Sequence, residues 1–454
     1  MATLERDVVV VGAGIAGLHA ALTLEAAGLR VLVLEAQQRV GGRIHSMRQL
    51  GHTAEAGGTY IGAGYSRVIG AAERHGVELM DVTPILEFFR EQDLAYRGEI
   101  IRQSDWPTHP ANDFPAADRE HMPWNYHRVL TMRANPLEDP GAWTLPQHAA
   151  LDVPAHDWFR SLGLSERAIE LAYGLNVSFG RNARDVSALL LLFRGAFSKS
   201  QRAAAPKDSL GYTARHGVQR ICEAMAAAVQ GGVELGHVVT GIAQTPDRAT
   251  VHCANGLRVN AKHVVVAVPL GVLRRIALDP ALPGAQAEGV ANLPSQPMTQ
   301  VYMAAKSRFW EQDGYAPSLF TDTQAGMLAA ARNRERPSEV TSFAAWVIGD
   351  QAAALDRLSP ADAGRAVIAA VEKLRPAAKG QLELLGMHSW GNDPYAGGAW
   401  AYFRPGDVTR YAATLGDAHG RLKFCGEHLA VMSRGMEGAM ESAEEAVSAV
   451  LADT

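Results

Sequence analysis

The sequence predicts an α/β protein, a Rossmann-type domain interleaved with an α+β second domain, and three observations predict it. Gly12, Gly14 and Gly17 form a tight-turn spacing between an apolar run, Val8 to Val11, and a helix-period stretch from Ile15. Far along the chain, "KFCGEHLAVMSRGMEGAMESAEEAVSAVL" ends in a second helix-period pattern, introduced by Gly426-Glu427. Between these ends the composition changes twice, so the two domains share one chain in alternating pieces.

Taken in order, Val8 to Val11 reads as a buried parallel strand, and "IAGLHAALTLEAAG" as a helix closed by Gly28. Gly12 allows the turn, Gly14 lets backbone approach a diphosphate, and Gly17 lets helix and strand pack closely. The helix N-terminus, with its free N–H groups and dipole, favours the negative charge. "RVLVLE" is the second strand, and Glu35 at its end is placed to accept hydrogen bonds from ribose hydroxyls. "RVGGR" and "EAGGTYIG" follow, a second glycine turn with Arg43 attached, which suits an extended cofactor longer than a nicotinamide dinucleotide.

Residues 86–205 are richer in Trp, Pro and His ("SDWPTHPANDFP", "MPWNYHRVL") and then turn helical ("SERAIELAYGL", "RDVSALLLLFRGAF"). "HGVQRICEAMAAAV" reads as a helix and "GVELGHVVTGIAQ" as a strand. Asn255-Gly256 marks a hairpin, and "HVVVAVP" a buried strand rejoining the parallel sheet. "PMTQVYMAAKSRFW" alternates, with Met298, Gln300, Tyr302 and Ala304 on one face. "SFAAWVIGD" joins it as a strand of a second sheet, with "PADAGRAVIAAVEKL" as a helix against it.

"LEAQQRVGGRIHS", "EAGGTYIG" and "FCGEH" resemble the flavin amine oxidase family, which includes monoamine, polyamine and L-amino-acid oxidases. The resemblance implies an FAD domain from residues 1–85, 206–290 and 386–454, and a substrate domain from 86–205 and 291–385. It assigns FAD contacts to Gly12, Gly14, Ile15, Gly17, Glu35, Ala36, Gly42, Arg43, Gly57, Gly58 and Thr59 in the first piece. Val239 stands where the family uses a backbone contact on the adenine side, although its side chain reads equally as core. Glu427 falls on the ribityl grip, Gly426 beside it, and Trp390 on the tryptophan packed near the flavin. Met436, at the start of the last helix, presents its N–H to the flavin edge that gathers negative charge on reduction.

The same resemblance implies the chemistry: an amine loses a hydride equivalent to flavin N5, and water hydrolyses the imine to a carbonyl compound. Ala399 stands where some members carry a cysteine bonded to flavin, so FAD is expected to be noncovalent. Trp400 corresponds to one wall of the aromatic cage, and Gly435 stands where the other wall usually lies. Either the pocket is wider there, or Gly435 only opens the helix and another aromatic fills the gap. Tyr60 and His216 are further candidates for the substrate pocket. Most members place a lysine ten residues before the Trp of a Phe-Trp pair; counting back from Trp310 gives Gln300. Lys306 is roughly 20 Å further along an extended strand, too far to replace it. Gln300 brings no positive charge, which puts fast reaction with oxygen in doubt. "TYIGAGYSRV" lacks the arginine that amino-acid oxidases place there, so a bulky or hydrophobic amine is expected, with oxygen or another acceptor reoxidising the flavin. A dehydrogenase of a non-amine substrate on the same fold is the alternative, and an FAD-bound binding protein a more distant one.

Composition narrows the remaining classes. A net charge of -5 without a basic stripe argues against nucleic acid. Cys222, Cys253 and Cys425, the three cysteines, have no metal-ligand or disulfide spacing, so no metal is expected. The longest apolar run, Val186 to Phe193, falls short of the ~18 residues of a membrane span. The expectation is a cytoplasmic protein off the membrane, its oligomeric state open, a homodimer included.

Overall fold

The computed structural model describes residues 3–50, 54–87 and 90–454. Its first sheet has eight strands. In spatial order they are Val233–Glu234, Val31–Leu34, Thr3–Val11, Arg258–Val266, Ala249–Cys253, Val239–Gln244 and Ala277–Asp279. The eighth, Leu422–Phe424, pairs in parallel with the end of Arg258–Val266, beyond the stretch used by the antiparallel hairpin strand. The register is parallel through the centre: Val11 lies opposite both Leu34 and Val266, and Val266 opposite Phe424. Four strand ends therefore meet at one edge, the carboxyl edge at which open α/β sheets bind ligands.

Alternation along Thr3–Val11 splits its side chains between two cores. Val8 and Val10 pack with the helices Ile15–Ala26 and Gly435–Ala452, while Val9 and Val11 face the second core. The two helices that carry the glycine turn and the Met436 segment thus lie side by side on one face of the sheet.

The second sheet runs Leu382–Ser389, Met298–Ala305, Val340–Ile348, Met327–Arg332, Ser318–Thr321, Gln92–Tyr96 and Glu99–Ile101. Val301 and Met303 pack under the helix Pro360–Leu374 with Phe343, Val367 and Val371. Met298 and Tyr302 face the other way, toward Trp390, Met47 and Ala56. Around this sheet the helices Pro123–Arg133, Ala155–Ser161 and Ala188–Ala204 form a layer with a large aromatic core.

Two expectations change. The single strand read from "GVELGHVVTGIAQ" is two strands separated by Gly236 at φ +72°. The first pairs with Val31–Leu34 and the second lies across the sheet, because the link crosses over Glu35: His237 N–H donates to Glu35 O at 2.8 Å. The boundary placed at 386 falls inside Leu382–Ser389, whose whole length pairs with Met298–Ala305 in the second sheet. Alternating polarity in "LELLGMHS" did not show which of two sheets would take it.

Candidate active site

The glycine turn is built as its spacing requires. A Cβ on Gly17 would meet Gly12 O at 2.0 Å, so only glycine lets the helix sit this close to the strand. Gly14 caps Ile15–Ala26 with no side-chain hydrogen bond, and a Cβ there would meet nothing within 4 Å. The first-turn N–H groups thus face open space. Glu35 closes the turn from the next strand: its carboxylate accepts from Ala13 N–H at 2.7 Å and Gln37 N–H at 2.9 Å. Burial pushes its pKa up, against the pull of those two N–H groups. The lone pairs left on its oxygens suit ribose hydroxyls.

Among the ion pairs that join the two ends of the chain, one lies in the cavity. Arg43 Nη1 donates to Glu427 Oε1 at 2.9 Å and to Ala399 O at 3.0 Å, and the same carboxylate oxygen accepts from Ala401 N–H at 3.0 Å. Burial pushes the Glu427 carboxyl up, but the fields of Arg43 and Arg434 outweigh it and hold it below its ordinary value. One charged clasp therefore ties the second glycine turn to the Gly426-Glu427 turn.

A single cavity of about 1300 Å³ runs past all of these groups. Gly12, Gly14, Ile15, Glu35, Ala36, Gly42, Arg43, Gly57, Gly58, Thr59, Val239, Gly426, Glu427 and Met436 line it, as do Tyr60, Trp390, Ala399, Trp400 and Gly435. Of the site residues read from the sequence, two lie outside the lining. Gly17 serves packing, as described. His216 is exposed on a loop at φ +109°, its carbonyl accepting from Arg48 Nε, so it is not a pocket residue. A lone histidine carries no spacing signal that could have separated these two placements.

Gln300 is buried and lines the cavity beside Met298 and Trp346. Its side chain lies 2.8 Å from Tyr302 Oη, which also reaches Glu55 O at 3.0 Å. The hydroxyl has one proton and two acceptors in reach. Turning the amide by 180° makes the set consistent, with Tyr302 donating to Glu55 O and accepting from Gln300 Nε2. Trp390 donates from Nε1 to Ala56 O at 2.8 Å, and the His388 ring stands edge-on to it at 4.2 Å. Trp400 is held by Ser178 O at 3.2 Å and meets the edge of Phe179 at 6.4 Å. Opposite, a Cβ on Gly435 would touch nothing within 4 Å, so the cavity is open on that side.

A model of flavin-containing amine oxidoreductases matches residues 15–451. The chain belongs to this family. It is 26% identical over 460 residues to a flavin-containing amine oxidase of Danio rerio, spanning 98% of this chain and 85% of the relative. It is 26% identical over 461 residues to flavin-containing amine oxidase B of Homo sapiens, spanning 98% and 86%. Among solved structures, a mutant putrescine oxidase with redesigned cofactor binding superposes with a TM-score of 0.80 at 25% identity, covering 100% of both chains. Membership makes this a flavin-dependent oxidoreductase of the amine oxidase type with the family's α/β fold, and the residues fit FAD. An uncapped helix N-terminus suits the diphosphate, Glu35 suits the ribose, and the cavity continues past the Arg43–Glu427 clasp. Among the described residues no helix is long and apolar enough to cross a membrane.

The sequence reading missed Phe179, Trp346, Arg128, Arg194 and Arg434, all in the lining. One signal was available. Arg194 interrupts the apolar first half of its helix, three and four residues from Leu191 and Leu190, where a charge has to face either solvent or a polar interior.

Proposed function

We propose that this protein oxidises a bulky or hydrophobic amine to an imine, which water hydrolyses to a carbonyl compound, with oxygen or another acceptor restoring the cofactor. The observation that carries it is the continuity of one cavity from the glycine turns to the wall made by Trp400, Trp390 and Gln300. Bound FAD supplies the electron-pair acceptor for the hydrogen on the carbon that bears nitrogen. The chain positions and encloses. Gly12, Gly14 and the helix start would hold the diphosphate, Glu35 the ribose and Glu427 the sugar chain, with Met436 N–H as a donor toward the ring. Trp400, fixed by Ser178 O, gives a flat wall against which an amine is aligned, and Met298, Trp346 and Phe320 keep that space apolar. Gln300 offers an amide and no charge. The open side at Gly435 supports a bulky substrate.

Mixing the purified, flavin-loaded protein with a panel of amines without oxygen tests this. Bleaching of the flavin absorbance by amines supports the proposal; bleaching only by non-amine hydride donors replaces it with the dehydrogenase alternative. We propose further that FAD is held noncovalently, in a protein of the cytoplasm. Ala399 offers no sulfur, and none of Cys222, Cys253 and Cys425 lines the cavity. Acid precipitation should leave the yellow colour in the supernatant, and colour kept in the pellet would overturn the claim.

A further inference from the structure

Three arginines face the cavity outside any described ion pair, and of the three only Arg434 has a carboxylate, Glu427, near enough to raise its pKa. Arg128 comes from the helix Pro123–Arg133, Arg194 from Ala188–Ala204, and Arg434 from the N-cap of the last helix. Among the described ion pairs none involves these three, although Arg43 in the same cavity is paired with Glu427. Arg128 Nε is buried with no hydrogen-bond partner at all. Arg434 lies over the rings of Phe179 and Phe193, its Cζ 4.8 and 5.4 Å from their centres, and Arg194 lies 5.8 Å from the same Phe179 ring.

Arg194 does have a polar neighbour, the hydroxyl of Ser178, but that contact carries no charge. Ser178 Oγ lies 2.9 Å from His127 Nε2, and His127 Nδ1 lies 2.9 Å from Ala172 O. The carbonyl only accepts, so Nδ1 carries the hydrogen and Nε2 accepts from the serine. Burial, together with Arg128 and Arg194, pushes His127 well below its ordinary pKa and keeps it neutral. The chain Arg194–Ser178–His127–Ala172 thus orients the guanidinium and leaves its charge uncompensated. Burial lowers all three arginines, and Arg194 is lowered further by Arg128 and Arg434, which shows that the three share one region. A guanidinium stays charged in a protein, so the cost is that of clustered, half-buried cations outside any described ion pair.

Such a cluster repels a second ammonium group and attracts an anion. We propose that Arg128, Arg194 and Arg434 form a subsite for a carboxylate carried by the substrate, so that the substrate class is an amino acid or longer aminoalkyl acid rather than a diamine. The planar guanidinium fork matches a carboxylate in two parallel hydrogen bonds, and Arg128 Nε is a donor left free for one. This reverses the sequence expectation drawn from "TYIGAGYSRV". The arginine in that segment, Arg67, is spent on Glu437 at 3.3 Å and Glu444 at 3.0 Å and lies outside the cavity lining. The charge that matters comes from three elements distant in sequence.

The proposal rests on the amine-oxidation reading for its substrate but not for its anion site, and two measurements separate them. The first titrates flavin-loaded protein with benzoate and with benzyl alcohol, following the flavin absorbance. Benzoate should perturb the spectrum at a concentration at least tenfold lower, Arg194→Met should remove that advantage, and Arg194→Lys should restore part of it. The second compares reduction without oxygen by matched pairs, phenylalanine against phenethylamine and 6-aminohexanoate against putrescine. The carboxylate-bearing member should half-saturate at a concentration at least tenfold lower. Arg194→Met should erase that difference. Equal binding of benzoate and benzyl alcohol to the unmodified protein overturns the subsite, and that comparison needs no variant to fold. Preference for putrescine or phenethylamine over the carboxylate partners overturns the substrate class. If benzoate binds through Arg194 and no amine of either kind bleaches the flavin, the anion subsite stands and the amine-oxidation reading falls.

Discussion

Glu35, just past the end of Val31–Leu34, and Gln300, within Met298–Ala305, are both buried polar side chains, yet their hydrogen bonds give them different work. Glu35 is fixed by two backbone N–H groups and still has acceptor capacity toward the cavity. Glu35→Ala should lower flavin retention by about 1.5–3 kcal/mol, the usual worth of a hydrogen bond to a charged group. Flavin content per folded protein reads this out, and unchanged occupancy would show that the ribose does not use it. Under the proposed function, a charge at the Gln300 position would act on oxygen rather than on the amine. Dioxygen gains negative charge as it accepts an electron, and a nearby cation in an enclosed site stabilises it. Gln300→Lys should therefore speed reoxidation by about tenfold, worth about 1.4 kcal/mol, and alter reduction by amine much less. Stopped-flow measurement of both half-reactions in folded, flavin-loaded protein decides it; unchanged reoxidation removes the role given to this position.

At the scale of elements, Glu55 on the strand Glu55–Gly57 acts as a buried connector. Its carboxylate accepts from Ser46 Oγ at 2.7 Å and Val218 N–H at 3.1 Å, and its carbonyl lies beside Tyr302 of the second sheet. Burial pushes its carboxyl up to about 7, more than the Ser46 hydroxyl, the Val218 N–H and Arg334 pull it down. A folded pKa above the unfolded one means the contribution is complete below about pH 4.3 and is lost as pH rises toward 7. That loss is about 3–4 kcal/mol at 1.36 kcal/mol per unit. Glu55→Gln keeps the shape without the titration. Its stability relative to the parent should rise by about that amount between pH 4 and pH 8 in urea unfolding series. A constant difference across that range would show that Glu55 ionises normally.

Over the whole molecule, the fold closes on the Arg43–Glu427 pair, which joins segments 384 residues apart. Arg43→Met leaves the buried Glu427 without its ion-pair partner and with only the field of Arg434 and the Ala401 N–H, a change that costs up to about 3–5 kcal/mol. The denaturant midpoint for flavin release should fall accordingly, while a surface pair such as Arg336–Glu339 should change it little when broken. Equal effects of the two would mean that the clasp contributes no more than a surface pair.

Much of this architecture was legible because local rules decide it. Gly12, Gly14 and Gly17 announce their turn by spacing, Glu35 lies at a fixed distance along the next strand, and the alternation from Met298 to Ala304 assigns its two faces. Helix periods marked Ile15–Ala26, Pro360–Leu374 and Gly435–Ala452 for the same reason. What the tertiary structure alone decided depends on contacts between distant segments. It split the strand around Gly236, drew Leu382–Ser389 into the second sheet, and placed His216 on the surface. It also gathered Arg128, Arg194 and Arg434 around one cavity. No periodicity encodes that gathering: Arg194 breaks the apolar pattern of its own helix, but nothing local brings Arg128 and Arg434 to it. Their common surroundings arise only when three elements pack, and it is that packing which partly desolvates the three guanidinium groups.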